Sequence, residues 1–443
     1  MVDYSHQGSV STGIYTGLWE DERPKHYRQG IAKIFPNGMM PLTALTSFGR
    51  TEKVNDPEFS FWEEDLAQSD VAIGGIFTNA ILDAAYASGA KAGTTLFIQF
   101  VDNANGSYSK QFRAGHTVLI VNDADYNVQK RAQILSVVSI NSTSAYIAVK
   151  MLQDDNSSGN KLDTANYCMI IGNANPELGV RPDAIVNRPR KLTNYTQIFR
   201  DSLSLSRTVM STHLRTEDAY KKSKKDALEQ HGLAMEKSLI WGYPYETTGT
   251  NGQPMRFSAG LFHWTETYAP SDNIDDYRLN SSYAGKTWID KEGGMKWLND
   301  RLEKIFRYGR PEKLAVCGSG ALLGINEIVQ NNGQFNFTTK TIGYGTQIIQ
   351  WTTPFGVIYL KTHPLFSYIS AFRNTMLLLE PENIKTRVIT ESHFKPDGSM
   401  DKSDTDGKDG KEEEFLGELG WEFVNSKSNG ILYGVGLANV LAQ

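Results

Sequence analysis

The sequence predicts an α+β protein, on three observations. Short alternating apolar runs crowd residues 94–172, one long polar helix covers Thr216–Trp241, and strands mixed with helices fill the chain after residue 294. With 443 residues, 40% of them apolar and 21% charged, the chain can bury substantial cores and falls outside the compositional range of disorder.

Residues 1 to about 60 are rich in Gly, Pro, Ser and Thr and carry scattered aromatics without helical or alternating spacing, which predicts an extended arm. A short helix is expected over Gly75–Ser88, where Ile76, Ile81, Leu82 and Ala85 fall on one side. The β-rich runs are Thr94–Ile98, His116–Val121, Ala132–Ile140, Ala145–Leu152 and Cys168–Ile171. Turn-rich breaks at 102–106, 122–125 and 154–159 separate them, and this spacing predicts an inserted small β-barrel or sandwich.

The helix over Thr216–Trp241 has favourable Glu217/Lys221 and Asp218/Lys222 pairs and a thin apolar seam of Tyr220, Ala227, Leu228, Ala234, Met235 and Leu239. A mostly solvated rod of this kind reads as a strut, stopped by Gly242 and Pro244. A second helix fits Gly294–Tyr308. Strands are expected at Lys313–Cys317, Gln347–Trp351, Gly356–Leu360, Met376–Leu379 and Thr386–Ile389, with a helix over Gly320–Gln330. Gly420–Val424 and Gly430–Val435 read as a closing hairpin.

The net charge of −5 is concentrated in one stretch: residues 397–414 carry eight acids against three lysines, an excess of five. This run reads as a solvated acidic loop, and the remainder is close to neutral, so no global field favours nucleic acid or an anionic membrane. Cys168 and Cys317 alone support neither a disulfide framework nor a four-thiolate zinc site, and both are expected reduced in a core. Met1–Ser11 lacks a basic region followed by an apolar one, and no apolar run reaches membrane-spanning length, so a cytoplasm-like compartment and no membrane partner are expected.

The search for reactive groups is negative. The eight histidines form no His-x-x-x-His pair and no pattern with cysteine, so ordinary structural roles are expected for each. Cys317-Gly318-Ser319-Gly320 looks superficially like a nucleophile turn or, with Gly324, a phosphate loop, but lacks the βαβ context and reads as a strand-to-helix turn that needs glycines. Asp404, Asp406, Gly407 and Glu413 fit four positions of a calcium loop, yet Lys402 occupies its first. Lys221, Lys222, Lys224 and Lys225 are interspersed with Asp218, Asp226 and Glu229, the pattern of a solvated helix face. Glu63-Glu64-Asp65 is read as capping or solvating a helix start. The expectation is therefore no enzyme, no catalytic or metal-binding residues and no cofactor.

The stretch Thr193–Gly242 resembles a branch of tailed-bacteriophage major capsid proteins with the Hong Kong 97-type fold, through Gln197, the Ser204-x-Ser206 run, Glu236 and Gly242. The resemblance continues through Gly260-Leu261-Phe262, Ile305–Gly309 and the Thr353–Gly356 turn, covering about residues 190–390. It implies an arm over 1–75, an E-loop region with the β insertion over 76–190, and a P-domain strand and spine helix over 191–255. An A-domain with a P-domain helix would follow over 256–380, then P-domain return strands over 381–443 with the acidic loop 397–414.

The implied function is an icosahedral shell subunit, forming hexamers and pentamers in the virion capsid after assembly in the host cytoplasm. Implied partners are other copies of the chain, scaffolding, portal and decoration proteins, and packaged double-stranded DNA held non-specifically. An encapsulin-type compartment and a virion receptor- or carbohydrate-binding protein are the alternatives. Tyr15, Trp19, Tyr27, Ile31, Ile34 and Phe35 are expected to make intersubunit contacts, because the arm has no local core in which to bury them.

Overall fold

A computed structural model describes residues 51–64, 70–100, 111–139, 145–179, 189–211, 218–332, 337–342, 346–396 and 410–441. Two compact units emerge: Trp62–Leu192 forms one, and the described residues up to Phe61 and from Thr193 onward form the other. The described chain opens with strands β1 (Thr51–Lys53) and β2 (Glu58–Glu63). These residues were read as the end of the arm or, at Glu63, as a helix start. Alternation buries Phe59 and Phe61 instead, and the Glu63 carboxylate is paired with Arg190.

In the inserted unit, β3 (Asp70–Phe77), β4 (Thr95–Phe100), β5 (His116–Val121), β6 (Gln129–Ser139), β7 (Ala145–Met151) and β8 (Tyr167–Asn173) close into a barrel, in the order β3-β4-β7-β6-β5-β8. Closure follows from side-chain alternation. Leu96, Ile98 and Phe100 of β4 and Val118 and Ile120 of β5 point inward and are almost fully buried, as are Ile147, Val149 and Met151 of β7. Cys168 also lies in this core, and burial pushes its thiol up to about 12.

The helix expected over Gly75–Ser88 is absent. Ile76 belongs to β3 and is buried, Ile81 is 81% exposed, and Leu82 adopts φ 63°, which no helix accommodates. The helical spacing was a coincidence between a strand end and a turn. That turn is fixed by Tyr86, whose hydroxyl donates to Asp155 at 2.5 Å, while Asp155 also accepts from the Leu162 backbone N–H at 3.3 Å. Burial, then this hydrogen bond, pushes the Tyr86 hydroxyl up to about 12.

The chain continues into β9 (Arg190–Tyr195), which forms a two-stranded sheet with β2, and then into β10 (Gln197–Ser206). Helix α1 (Arg207–Ser211) precedes the long α2 (Ala219–Trp241). A ribbon follows, β11 (Tyr245–Thr248) with β12 (Pro254–Phe257), then α3 (Leu261–Tyr268), β13 (Ile274–Asp276) and α4 (Lys296–Ile305). After these come β14 (Glu312–Cys317), α5 (Ser319–Asn332), β15 (Phe337–Ile342), β16 (Thr346–Thr353), β17 (Gly356–Thr362), α6 (Pro364–Tyr368) and β18 (Met376–Leu379). The last three strands are β19 (Ile384–Lys395), β20 (Gly410–Phe423) and β21 (Gly430–Tyr433).

Besides the two-stranded sheets, these strands make two larger sheets. The four-stranded one has the order β1-β19-β20-β10, and the seven-stranded one β13-β21-β18-β14-β17-β16-β15. Helices α4 and α5 pack on the larger sheet through Trp297, Leu298, Leu302, Ile305, Ala321 and Ile325, against Ala315, Cys317, Ile358 and Leu360. Every residue of β18 is buried, as expected of a strand covered on both faces. The expected closing hairpin is not formed. β20 pairs with β10 and β19, whereas β21 pairs with β18 and β13. Asn425, at φ 54°, and the tight turn Ser426–Ser428 redirect the chain from one sheet to the other.

The acidic loop is also shorter than read. Residues 397–409 lie outside the described residues, but Gly410–Glu414 belong to β20, where Glu413 is buried. The run looked solvated because its charges were counted without their partners. Lys411 meets Glu413 at 2.7 Å, Tyr220 donates to Glu413 at 2.7 Å, and Arg200 meets Glu414 at 2.5 Å.

Candidate functional site: the buried anchors of the long helix

Helix α2 is the element whose placement organises its unit. Asp218 caps its start, accepting from the backbone N–H groups of Tyr220 and Lys221. Its buried face comprises Ala227, His231, Gly232, Glu236, Leu239 and Ile240. Leu228, expected in the seam, is 52% exposed, and two polar residues occupy the stripe instead. A helix with so little apolar surface is held by specific bonds more than by area.

Three polar anchors do this. His231 places Nδ1 2.9 Å from Asp201 Oδ2 on β10 and Nε2 3.2 Å from Ser392 Oγ on β19. One turn on, Glu236 Oε1 lies 2.8 Å from His363 Nε2, and both side chains are wholly buried. His363 Nδ1 accepts from the Leu365 N–H at 3.1 Å, so the ring proton sits on Nε2 and is donated to the carboxylate. Ser238 then donates to Gln197 Oε1 at 3.0 Å, the same oxygen that accepts from the Ser258 backbone N–H at 3.2 Å.

The helix ends where backbones touch. A Cβ on Gly242 would lie 2.3 Å from the Ser258 carbonyl oxygen, and one on Gly260 would lie 2.5 Å from the Gly242 nitrogen, so only glycine fits at either position. Trp241 closes the corner against Phe262, Phe366 and Phe372. Gln197, Glu236, Gly242 and Gly260, which lie in the stretches that carried the resemblance, are thus brought together by one joint. His231 and His363 were missed. Their spacing carries no pattern, because their partners come from β10, β19 and α2, far away in sequence.

A fourth anchor involves the larger sheet itself. Lys313, fully buried on β14, donates to Glu380 at 2.8 Å and to the carbonyls of Tyr308 and Ser428 at 3.0 and 2.8 Å. Burial holds its ammonium below the usual lysine range, against the opposing pull of Glu380. Glu380 also accepts from the Arg310 backbone N–H and from Asn383, both at 2.8 Å. With all these bonds made, the pair is a fixed strut between chain segments.

The six arm residues proposed for contact, Tyr15, Trp19, Tyr27, Ile31, Ile34 and Phe35, lie outside the described residues. So do Lys402, Asp404, Asp406 and Gly407 of the calcium-like run, while the carboxylate of Glu413 is taken by Lys411 and Tyr220. Cys317–Gly320 forms the expected strand-to-helix turn, and a Cβ on Gly318 would lie 2.2 Å from the Arg373 carbonyl oxygen. Cys317 is buried, with its thiol pushed up to about 12 by burial. Lys224 lies over the Phe394 ring, 3.5 Å from its centre. Among the described residues no cluster of three or more His, Cys, Asp or Glu side chains is arranged to hold a metal ion, and no helix is long and apolar enough to cross a membrane.

Comparison with known proteins gives three findings. The family described as SU10 major capsid protein matches residues 8–436. A major capsid protein of Pseudomonas phage PaMx41 is 21% identical, over 96% of each chain. Among solved structures, Mycobacterium phage Cain gives a TM-score of 0.44 at 7% identity over 95% of this chain and 98% of the other. The holo-SrpI encapsulin complex from Synechococcus elongatus gives 0.38 at 11% identity, over 57% and 78%. Likenesses at those scores carry no weight of their own, and the family match stands without them.

Proposed function

Because the chain belongs to the SU10 major capsid protein family, we propose that it assembles with copies of itself into the hexamers and pentamers of an icosahedral shell. As a phage major capsid protein it is part of the virion capsid, and its family is a structural one. The proposed layout is the Hong Kong 97-type one, with α2 as the spine helix and the barrel as an enlarged insertion in the E-loop region. Double-stranded DNA is the proposed content, contacted without sequence preference. Scaffolding, portal and decoration proteins are the proposed partners, and the host cytoplasm is the proposed place of assembly.

The observation that carries this reading is the anchoring of α2. A 23-residue helix, about 35 Å long at 1.5 Å per residue, is fixed to strands β10 and β19 and to the segment after β17 by buried polar bonds. A shell subunit needs such a frame, because closure of a symmetric assembly transmits any internal slack to every interface.

The arm is the proposed source of intersubunit contact. Burying one large apolar side chain contributes about 1.5–3 kcal/mol, so several from Tyr15, Trp19, Tyr27, Ile31, Ile34 and Phe35 rival the net stability of a domain. Deleting residues 1–35 is expected to leave a soluble subunit with native circular dichroism and no normal shells by electron microscopy. Normal shells from the truncated chain would refute the arm's role, and an unfolded product would place these side chains in their own subunit's core.

A further inference from the structure

The Asp201–His231–Ser392 anchor has a geometry that holding a helix does not require. We propose that Ser392 is an activated nucleophile that accepts an acyl group from esters with a short apolar acyl chain. This is independent of shell assembly.

The arrangement is directional. His231 Nδ1 lies 2.9 Å from Asp201 Oδ2, so in the neutral imidazole that donates to this carboxylate Nε2 is the acceptor, 3.2 Å from Ser392 Oγ. Ser392 Oγ also lies 3.6 Å from Met235 Sδ, but an imidazole nitrogen is the stronger acceptor. A carboxylate that orients an imidazole, and an imidazole that takes the proton of a hydroxyl, are the parts needed to activate a serine. The imidazole is 1% exposed, so its orientation is fixed, whereas Ser392 is exposed and open to a reactant.

Three further features favour reaction. Ser392 lies where β19 slips register against β20, between Thr390 and His393, and bulges of this kind re-aim side chains next to reactive sites. Opposite it is Gly417, where a Cβ would come within 2.3 Å of Ser392 Oγ, so the glycine leaves the hydroxyl its space. Beside the pair is a cavity of about 350 Å³ lined by Leu228, Met235, Phe394 and Phe415 with His231 and Ser392. His393 also lines it, the rest of its walls are apolar apart from the two reactive groups, and its size suits a short acyl chain.

In the proposed step Ser392 Oγ bonds to the acyl carbon as its proton passes to His231 Nε2. The carbon–oxygen bond to the leaving alcohol then breaks, and His231 returns the proton to the departing oxygen. The products are free alcohol and an acyl ester on Ser392. His231 acts as base and then acid, and Asp201 is a positioning residue.

The test treats the purified full-length protein with a short-chain alkyl fluorophosphonate, which loses fluoride to an activated serine, and separately with p-nitrophenyl butyrate. Peptide mass spectrometry is expected to place the phosphonyl and butyryl groups on Ser392, approaching one per chain, with Ser392→Ala abolishing both. His231→Gln is expected to slow labelling by at least about 100-fold, the lower range for a general base. Asp201→Asn is expected to lower the maximal labelling rate by about 10-fold or more while leaving the half-saturating probe concentration unchanged, a split that mere loosening would not produce. Labels scattered over surface side chains without preference for Ser392 would overturn the proposal, as would equal rates in wild type and Asp201→Asn. Should His231→Gln fail to fold, the wild-type mapping and Asp201→Asn decide the matter.

Discussion

The barrel and the frame around α2 are stabilised in opposite ways. Around one buried polar pair, Tyr86 with Asp155, the barrel interior is mainly aliphatic and aromatic side chains supplied by alternate positions of neighbouring strands, with Ile98, Val118, Ile120, Ile147 and Val149 at zero exposure. The frame sets buried polar groups at its joints, Glu236 with His363 and Lys313 with Glu380, and anchors buried His231 on the partly exposed Asp201. A closed barrel has its register dictated by the pleat and by closure, so apolar packing suffices. A helix lying on strands that are distant in sequence can slide or rotate at little apolar cost, and bonds that work in one geometry remove that freedom.

The sharpest way to break this contrast is to remove one charge from the frame. Lys313→Met leaves Glu380 buried without its cation and is expected to cost about 3–5 kcal/mol in urea unfolding. Adding Glu380→Gln, which removes the second charge, should recover part of that loss. Equal stability of the single and double variants would mean that the ammonium acts through its packing alone.

The corresponding change in the barrel is Ile98→Ala, expected to cost about 2–5 kcal/mol through lost burial and a cavity, with Ile98→Val costing about 0.5–1.5 kcal/mol. Hydrogen exchange should show faster opening of β4 and β7, which pair across Ile98 and Ile147. A loss that did not scale with the volume removed would refute apolar packing as what holds this part of the barrel.

A smaller effect is expected at the start of α2. Asp218→Ala removes the cap on two backbone N–H groups and should cost about 1 kcal/mol. Protection of the first helical turn should fall while that around His231 and Glu236 persists, because the polar anchors hold the helix farther along. Fraying through to Glu236 would show that the anchors do not act separately.

The mildest perturbation is acid. Burial disfavours the charged form of Glu413, but hydrogen bonds from Lys411 and Tyr220 outweigh it and hold this carboxyl below the usual range, while Arg200 lowers Glu414. Carboxyls depressed in the folded state contribute stability above their unfolded values, and that contribution is lost as pH falls through the folded ones. The β10–β20 ladder near Leu203–Glu413 should therefore loosen on acidification below the normal carboxylate range, whereas the β4–β7 strand pair around Ile98 and Ile147, which carries no carboxylate, should not. Exchange measured across acid pH separates the two, and Glu413→Gln should flatten the frame's response.

Much of this fold was legible in the residue order. Period-two runs located five barrel strands because alternation is a local consequence of the pleat, and the run with few breakers before Gly242 located α2 for an equally local reason. The first barrel strand was misread, because Ile76 and Ile81 fit helical spacing although β3 ends at Phe77 and a turn begins between them. The acidic run was misjudged from its composition, since the partners of Glu413 and Glu414 come from Tyr220 and Arg200, some two hundred residues away.

By itself, then, the sequence determined the fold class, the barrel's strands, the strut helix and the resemblance carried by Thr193–Gly242, all of which depend on neighbours within a turn or a strand. Which sheet takes β21, which carboxylate meets His363, and the line of Asp201, His231 and Ser392 were decided only by the tertiary structure. The physical reason is range: propensity and periodicity act over a few residues, whereas a buried hydrogen bond forms between whatever groups the completed packing brings within 3 Å.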